Sequence, residues 1–276
     1  MSHELTKYIQ GTHETFAHVR HTLAKGALET SGVHRPKDKR AAFAQSASIL
    51  RHELPPHHEE QKYLSIISTM PAMVQSLANL HGEGRRSHDA RLSAVHYNNS
   101  LREILDLNPK ILPAEIQTMV KSTAARFSYD ASTINTLCQE TSTSLRGMQH
   151  ELAFEAALYY LPEDYEIIET TDEDDLQGTD FKVKAPNGTI VRIDVKASEQ
   201  TALHANQKQE IYYQTRGKHR PANEIIMYSG FYDEDFLSDN PWRATPQAIE
   251  AVTPYIQESI DIAAGYRHPA QRYAAV

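Results

Sequence analysis

A chain of 276 residues, 40% hydrophobic and 23% charged, has room for one large domain or two modest ones and the composition of an ordinary globular protein. No apolar run approaches the roughly 20 residues needed to cross a bilayer, and residues 1–7 lack the basic-then-apolar layout of a secretory signal. A single cysteine, Cys138, excludes an intramolecular disulfide framework and fits a reducing, cytoplasmic setting. The formal net charge of -8 argues against a protein that coats nucleic acid by bulk attraction. That charge is uneven: residues 1–145 hold 16 Lys+Arg against 14 Asp+Glu, and residues 146–276 hold 12 against 22. Contact with nucleic acid must then come from local basic clusters, a bound cation or the N-terminal half.

In chain order, the first half reads as helical. Segments near 2–29, 37–54, 59–80, 87–107, 113–127 and 130–145 space their apolar residues three to four apart, between breakers such as Pro55-Pro56 and the run from His81 to Gly84. Pro113 falls in a first helical turn, where its missing N–H costs nothing, and Asp130 is placed to cap the helix after it. The texture changes after about residue 145. A helix from Ser144 to Leu161 precedes a short β-like run at Tyr165–Thr170, an acidic turn at Thr171–Asp175 and Gly178. Residues 179–184 alternate polar and apolar, Asn187-Gly188 signals a hairpin turn, and residues 189–196 return as the partner strand. A polar helix near 201–214, a strand at 222–229 and a helix from Thr245 to about Ala264, broken or kinked at Pro254, complete the order α-β-β-β-α-β.

The hairpin carries the chemistry. Asp180 starts one strand and Asp194 ends the other, so their backbones come close across the pair. A strict two-residue loop would set Asp180 opposite Val195 and send the two carboxylates to opposite faces. The reading therefore expects a one-residue bulge or a longer loop. Asp194 and Lys196, two apart, leave one face of their strand. Two aspartates and a lysine at a sheet end suit phosphodiester hydrolysis: the carboxylates can hold Mg²⁺ by oxygen, and the lysine can position water or stabilise charge on phosphorus. On the preceding helix, Met148, Leu152, Glu155 and Tyr159 form one stripe, so Glu155 interrupts an apolar face. A buried carboxylate there needs a cation or strong donors. Glu155 ranks first as the helix ligand and Glu151, one turn earlier, second.

The run Gly147–Glu155, then Tyr165–Ile168, Gly178-Thr179-Asp180 and Ile193-Asp194-Val195-Lys196, resembles the PD-(D/E)xK nuclease superfamily over about residues 146–230. The resemblance implies a restriction-endonuclease-like core in which a mixed sheet is flanked by helices. It also implies metal bound by Glu155 (or Glu151), Asp180 and Asp194, with Lys196 assisting the attacking water. The polar helix residue common in that family falls on Gln207 or Gln209, either side of Lys208. Thr179 replaces the family's proline.

Other signals carry less. His52-Glu53 with His57-His58 has the wrong spacing for a zinc-binding helix and two intervening prolines. Gly82 and Gly84 make no dinucleotide fingerprint. Cys138 reads as a structural thiol. The basic clusters at His34–Arg40, Arg85-Arg86, and Arg216, Lys218 and Arg220 read as solvated loops or phosphate contacts. The expectation is an α+β protein: a helical region at 1–143, for substrate recognition, dimerisation or partner docking, then a nuclease-like α/β domain at 144–276. Its function would be Mg²⁺-dependent (or Mn²⁺-dependent) hydrolysis of nucleic acid, DNA before RNA, without membrane association. The alternatives are a catalytically inactive nuclease-fold module that binds nucleic acid or protein, and an RNA-cleaving enzyme.

Overall fold

In residues 181–185 and again in 191–196 every second residue is apolar, and a strand that alternates in this way can bury one face and leave the other polar. Phe181, Val183, Ala185, Val191, Ile193 and Val195 are all buried, while Lys182, Arg192, Asp194 and Lys196 lie on the opposite face, half-exposed. The structure is a computed structural model and describes residues 59–83 and 88–266, with short helical stretches at 44–45, 47–49 and 51–52. The expected helix at 2–29 and most of that at 37–54 lie outside the described residues, as do the basic clusters at 34–40 and 85–86 and the histidines at 57–58.

The architecture is mixed α+β. Four helices come first: α1 (Glu59–Glu83), α2 (His88–Leu107), α3 (Pro113–Arg126) and α4 (Ala131–Leu158). Then follow β1 (Glu166–Ile168), a short helix α5 (Asp172–Leu176), β2 (Phe181–Lys184), β3 (Ile190–Lys196), α6 (Glu199–Gln214) and β4 (Glu224–Tyr228). A 3-10 turn (Asp233–Asp235), β5 (Phe236–Leu237), β6 (Asn240–Ala244) and α7 (Pro246–Ala264) complete the described chain. None of the described helices is long and apolar enough to cross a membrane. The chain divides into two units, residues 1–145 and 146–276, and the division falls within α4.

In the first unit, α1 and α2 bury Leu64, Ile67, Met70, Tyr97, Leu101 and Ile104. Pro113 opens α3 as expected, and the Glu115 carboxylate accepts from the Leu112 N–H at 2.7 Å, satisfying one donor at the helix start. Asp130 caps α4 by accepting from the Thr133 N–H at 2.9 Å. That helix does not stop near residue 145. Nothing between 131 and 158 breaks it except Gly147, whose cost of about 1 kcal/mol a long helix absorbs. The two segments expected at 130–145 and 144–161 are one helix.

In the second unit, β1-β2-β3-β4 form a mixed sheet, antiparallel except for the parallel β3–β4 pair, and β5–β6 form a separate two-stranded sheet. One face of the larger sheet packs on Ala153, Phe154, Ala157 and Leu158 of α4 and on Ile249, Ile256 and Ile260 of α7. Phe154 stacks on Phe181 with centroids 5.4 Å apart. A fully buried side chain of this size contributes roughly 1.5–3 kcal/mol by leaving water. α7 runs through Pro254 as one helix and ends at Gly265 in the left-handed conformation that glycine adopts without strain. The acidic run after Thr171 is the short helix α5, begun by a capping box between Thr171 and Asp174. The β5–β6 hairpin has no counterpart among the strands expected from the sequence.

Candidate active site

The hairpin loop decides the register. Phe181 pairs with Ile193 and Lys184 with Ile190, so the next step outward sets Asp180 across from Asp194. The Ala185 N–H donates to Thr189 at 2.9 Å and the Gly188 N–H to Ala185 at 2.8 Å, with Gly188 at φ +83°. That is a three-residue loop, a tight turn followed by a left-handed glycine. It spends one residue more than the two-residue loop that would have separated the carboxylates. Opposed residues of an antiparallel pair share a face, so Asp180 and Asp194 come together.

Asp180 is half-buried just before β2. Its Oδ2 accepts from the Val195 N–H at 2.6 Å, and its own N–H donates to the Ile193 carbonyl at 2.9 Å. Burial, then the charges of Glu151 and Asp194, push its carboxyl well above the usual aspartate range, against the pull of Lys196 and the Val195 N–H. Lys196 donates its ammonium to Asp194 Oδ1 in a close ion pair. Burial pulls the Lys196 ammonium down, but Asp194, Asp180 and Glu151 outweigh it and hold the lysine above its ordinary value. Among the described residues nothing hydrogen-bonds Asp180 Oδ1 or Asp194 Oδ2. Gly178, at φ +79°, stands beside the latter oxygen; a Cβ there would sit 3.8 Å from it.

Of the two candidate helix acids, Glu151 is the one whose charge bears on Asp180 and Lys196. The expected stripe of Met148, Leu152, Glu155 and Tyr159 is buried only at Met148: Leu152 and Glu155 are half-buried, Tyr159 is 71% exposed, and the other buried positions are His150, Ala153, Phe154, Ala157 and Leu158. The helical period is as expected, but the buried stripe is rotated toward Phe154, which Phe181 requires. Glu151 lies one turn before Phe154, the residue that stacks on Phe181. Its charge acts on both Asp180 and Lys196, whereas Glu155 is not among the principal charges on either. His150 anchors this turn: its Nδ1 and the Ser229 hydroxyl, both buried, are 2.7 Å apart. Burial, then Arg146, lowers the imidazole's affinity for a proton.

The residues on α6 divide. Gln207 and Lys208 are exposed, and Gln209 is half-buried with a shielded Oε1 that has no partner among the described residues. Nothing ties either glutamine to the aspartates. Asn206, which no spacing in the sequence singles out, is fixed instead: its Nδ2 donates to Ile226 O at 2.9 Å and Ala202 O at 3.0 Å. Ile226 is the β4 partner of Asp194. A groove of about 750 Å³ along the edge of β4, with Ile226, Tyr228, Tyr255 and Ile262 in its walls, includes none of Asp180, Asp194 or Lys196.

No family model, curated protein or solved structure matches the chain. The site therefore stands on its own geometry: three acids and one amine at one end of a sheet. Among the described residues no three His, Cys, Asp or Glu side chains are already arranged to hold a metal ion. Lys196 occupies one oxygen of Asp194, and the Val195 N–H occupies one of Asp180.

Proposed function

We propose that residues 146–276 form a metal-dependent nuclease of the PD-(D/E)xK type that hydrolyses phosphodiester bonds, with DNA as the preferred substrate. The observation that carries this reading is the charge on Asp180, which is opposed at once by burial and by the neighbouring acids Glu151 and Asp194. Like charges gathered in a partly dry site are unfavourable without a counter-cation, and one lysine does not balance three carboxylates. The donor set consists of hard carboxylate oxygens, which suits Mg²⁺ or Mn²⁺. The order α4-β1-β2-β3-α6-β4, with its antiparallel meander and parallel fourth strand, is compatible with the restriction-endonuclease-like core.

Asp180, Asp194 and Glu151 would hold the cation, using Asp180 Oδ1 and Asp194 Oδ2. Bound there, it would polarise the phosphate and lower the pKa of a coordinated water. Lys196 stays an ammonium at neutral pH because its neighbours raise its pKa. It therefore acts as a charged hydrogen-bond donor and not as a general base. When substrate arrives, it can exchange Asp194 for the attacking water or for a phosphate oxygen whose negative charge is growing. The Val195 N–H keeps Asp180 in place through that exchange.

Purified protein incubated with plasmid, single-stranded DNA and RNA in Mg²⁺, Mn²⁺ or EDTA tests this. The reading expects cleavage with metal, none in EDTA, and loss of at least about 10²-fold in rate for Lys196→Ala. Cleavage that persists in EDTA and in Lys196→Ala overturns it. An intact substrate panel together with no calorimetric Mg²⁺ binding favours a binding module instead, as the acidic second half of the chain would.

A further inference from the structure

We propose that Arg220 is a phosphate-gripping residue of this site, using the Nε–Nη2 edge of its guanidinium as a two-pronged fork for two phosphate oxygens. The inference rests on the phosphodiesterase reading and assigns that site a substrate contact outside its acids and lysine.

Three observations support it. First, Arg220 Nε and Nη2 are shielded from solvent and have no hydrogen-bond partner among the described residues. Leaving two donors of a charged group unpaired is costly, and the Nε and Nη2 hydrogens point the same way, the geometry that matches a carboxylate or phosphate. Second, the remaining arm is fixed: Nη1 donates to Asn206 Oδ1 at 2.6 Å, and Asn206 is itself held by the Ile226 carbonyl of β4. The guanidinium is thus oriented before any ligand arrives. Third, its place is set by the sheet, because Ile226 is paired with Asp194 and the Asp194 charge acts on Arg220.

No neighbouring acid takes the fork. Glu224 Oε2 accepts from the Tyr213 hydroxyl at 2.8 Å and Oε1 lies 3.8 Å from Arg192, while Glu210 Oε1 accepts from Gln214. Burial, the largest influence on Arg220, lowers its proton affinity, the sign of a cation not fully compensated. Arg220 follows the exposed loop of residues 215–219, and the shielded Nε–Nη2 edge must become uncovered when a ligand binds. Asn206 is the positioning residue in this arrangement.

The test uses the full chain labelled with ¹⁵N-arginine, in EDTA so that nothing is cleaved. The Arg220 Nε–H resonance, assigned by its absence from Arg220→Lys, is followed during titration with inorganic phosphate and with a short single-stranded oligodeoxynucleotide. A saturable shift with the oligonucleotide is expected. Arg220→Ala should weaken its binding about 10- to 100-fold, the range of a bidentate arginine contact. Arg220→Lys keeps the charge but loses the fork, so it should recover only part of that affinity. Asn206→Ala should weaken binding less and add little to Arg220→Ala, because the two act as a unit. An unmoved Nε–H resonance in both titrations, or wild-type affinity in Arg220→Lys, overturns the proposal. Cleavage assays separate the two claims. A cleaving wild type with an indifferent Arg220 leaves the nuclease reading standing, and a shifting fork on a protein that cleaves nothing leaves only the anion site.

Discussion

Asp180→Asn isolates the charge on which the functional reading rests. The asparagine keeps an oxygen for the Val195 N–H, so the end of β2 loses no hydrogen bond while one of three neighbouring acids becomes neutral. The sign follows from the raised carboxyl. A folded-state pKa above the unfolded value, near 3.9, means that ionised Asp180 disfavours the fold at neutral pH. That penalty fades as pH falls through the folded pKa and is gone below the unfolded one. Removing a strained functional charge of this kind typically adds about 1–2 kcal/mol. In a chain of this size that corresponds to roughly 2–6 °C in Tm. Thermal melts by circular dichroism in EDTA at pH 7.5 should show Asp180→Asn above wild type, with the difference shrinking toward pH 5. Mg²⁺ should then reverse the order, because a ligand at 100 times its Kd stabilises the wild type by about 2.7 kcal/mol and finds no complete site in the variant. A variant that melts below wild type in EDTA, or equal Mg²⁺ shifts in both proteins, refutes the reasoning.

As pH falls toward the range where the raised Asp180 carboxyl takes up its proton, metal uptake should release an increasing fraction of a proton; calorimetry in two buffers of different ionisation enthalpy should give apparent enthalpies that diverge as pH falls, and equal values at every pH would contradict the shift. Tyr165→Phe removes the hydroxyl that donates to the buried Asp261 carboxylate at 2.5 Å, and the stranded carboxylate should cost about 1–3 kcal/mol in urea unfolding, with a cost near zero counting against the pair. His150 is held below its ordinary pKa, so the unfolded chain takes up its proton first, and stability should fall as pH drops from about 6.5 toward the folded value. His150→Asn should flatten that part of the pH–stability curve, and an unchanged slope would show that the imidazole does not contribute to it.

Alternation at 179–196 made the two strands and their buried face legible, because a period of two matches the pleat of a strand and not the turn of a helix. The loop was harder. Asn187-Gly188 announces a turn, but whether two or three residues lie between the paired positions depends on Gly188 closing the turn in the left-handed region after Pro186 and Asn187. That single residue decides whether Asp180 and Asp194 share a face. The order of the two candidate helix acids, Glu155 before Glu151, is hard to read from sequence for a related reason. Two adjacent stripes of α4 are each plausible from spacing, and the stacking of Phe154 on Phe181 fixes which of them meets the sheet, while the charge that bears on Asp180 is that of Glu151. Asn206 and Arg220 carried no spacing signal at all, since their pairing joins a helix to a loop 14 residues on. Within the basic cluster of Arg216, Lys218 and Arg220, only the structure separates the half-buried arginine from its exposed neighbours.

The most direct test of the account is the rate of Mg²⁺-dependent plasmid cleavage by Glu151→Gln beside Glu155→Gln. The account predicts that Glu151→Gln loses at least about 10²-fold in rate, as removal of a group stabilising the transition state does, while Glu155→Gln stays within a few-fold of wild type. Loss in Glu155→Gln with Glu151→Gln unaffected would contradict the site as assembled around Asp180, Asp194 and Lys196.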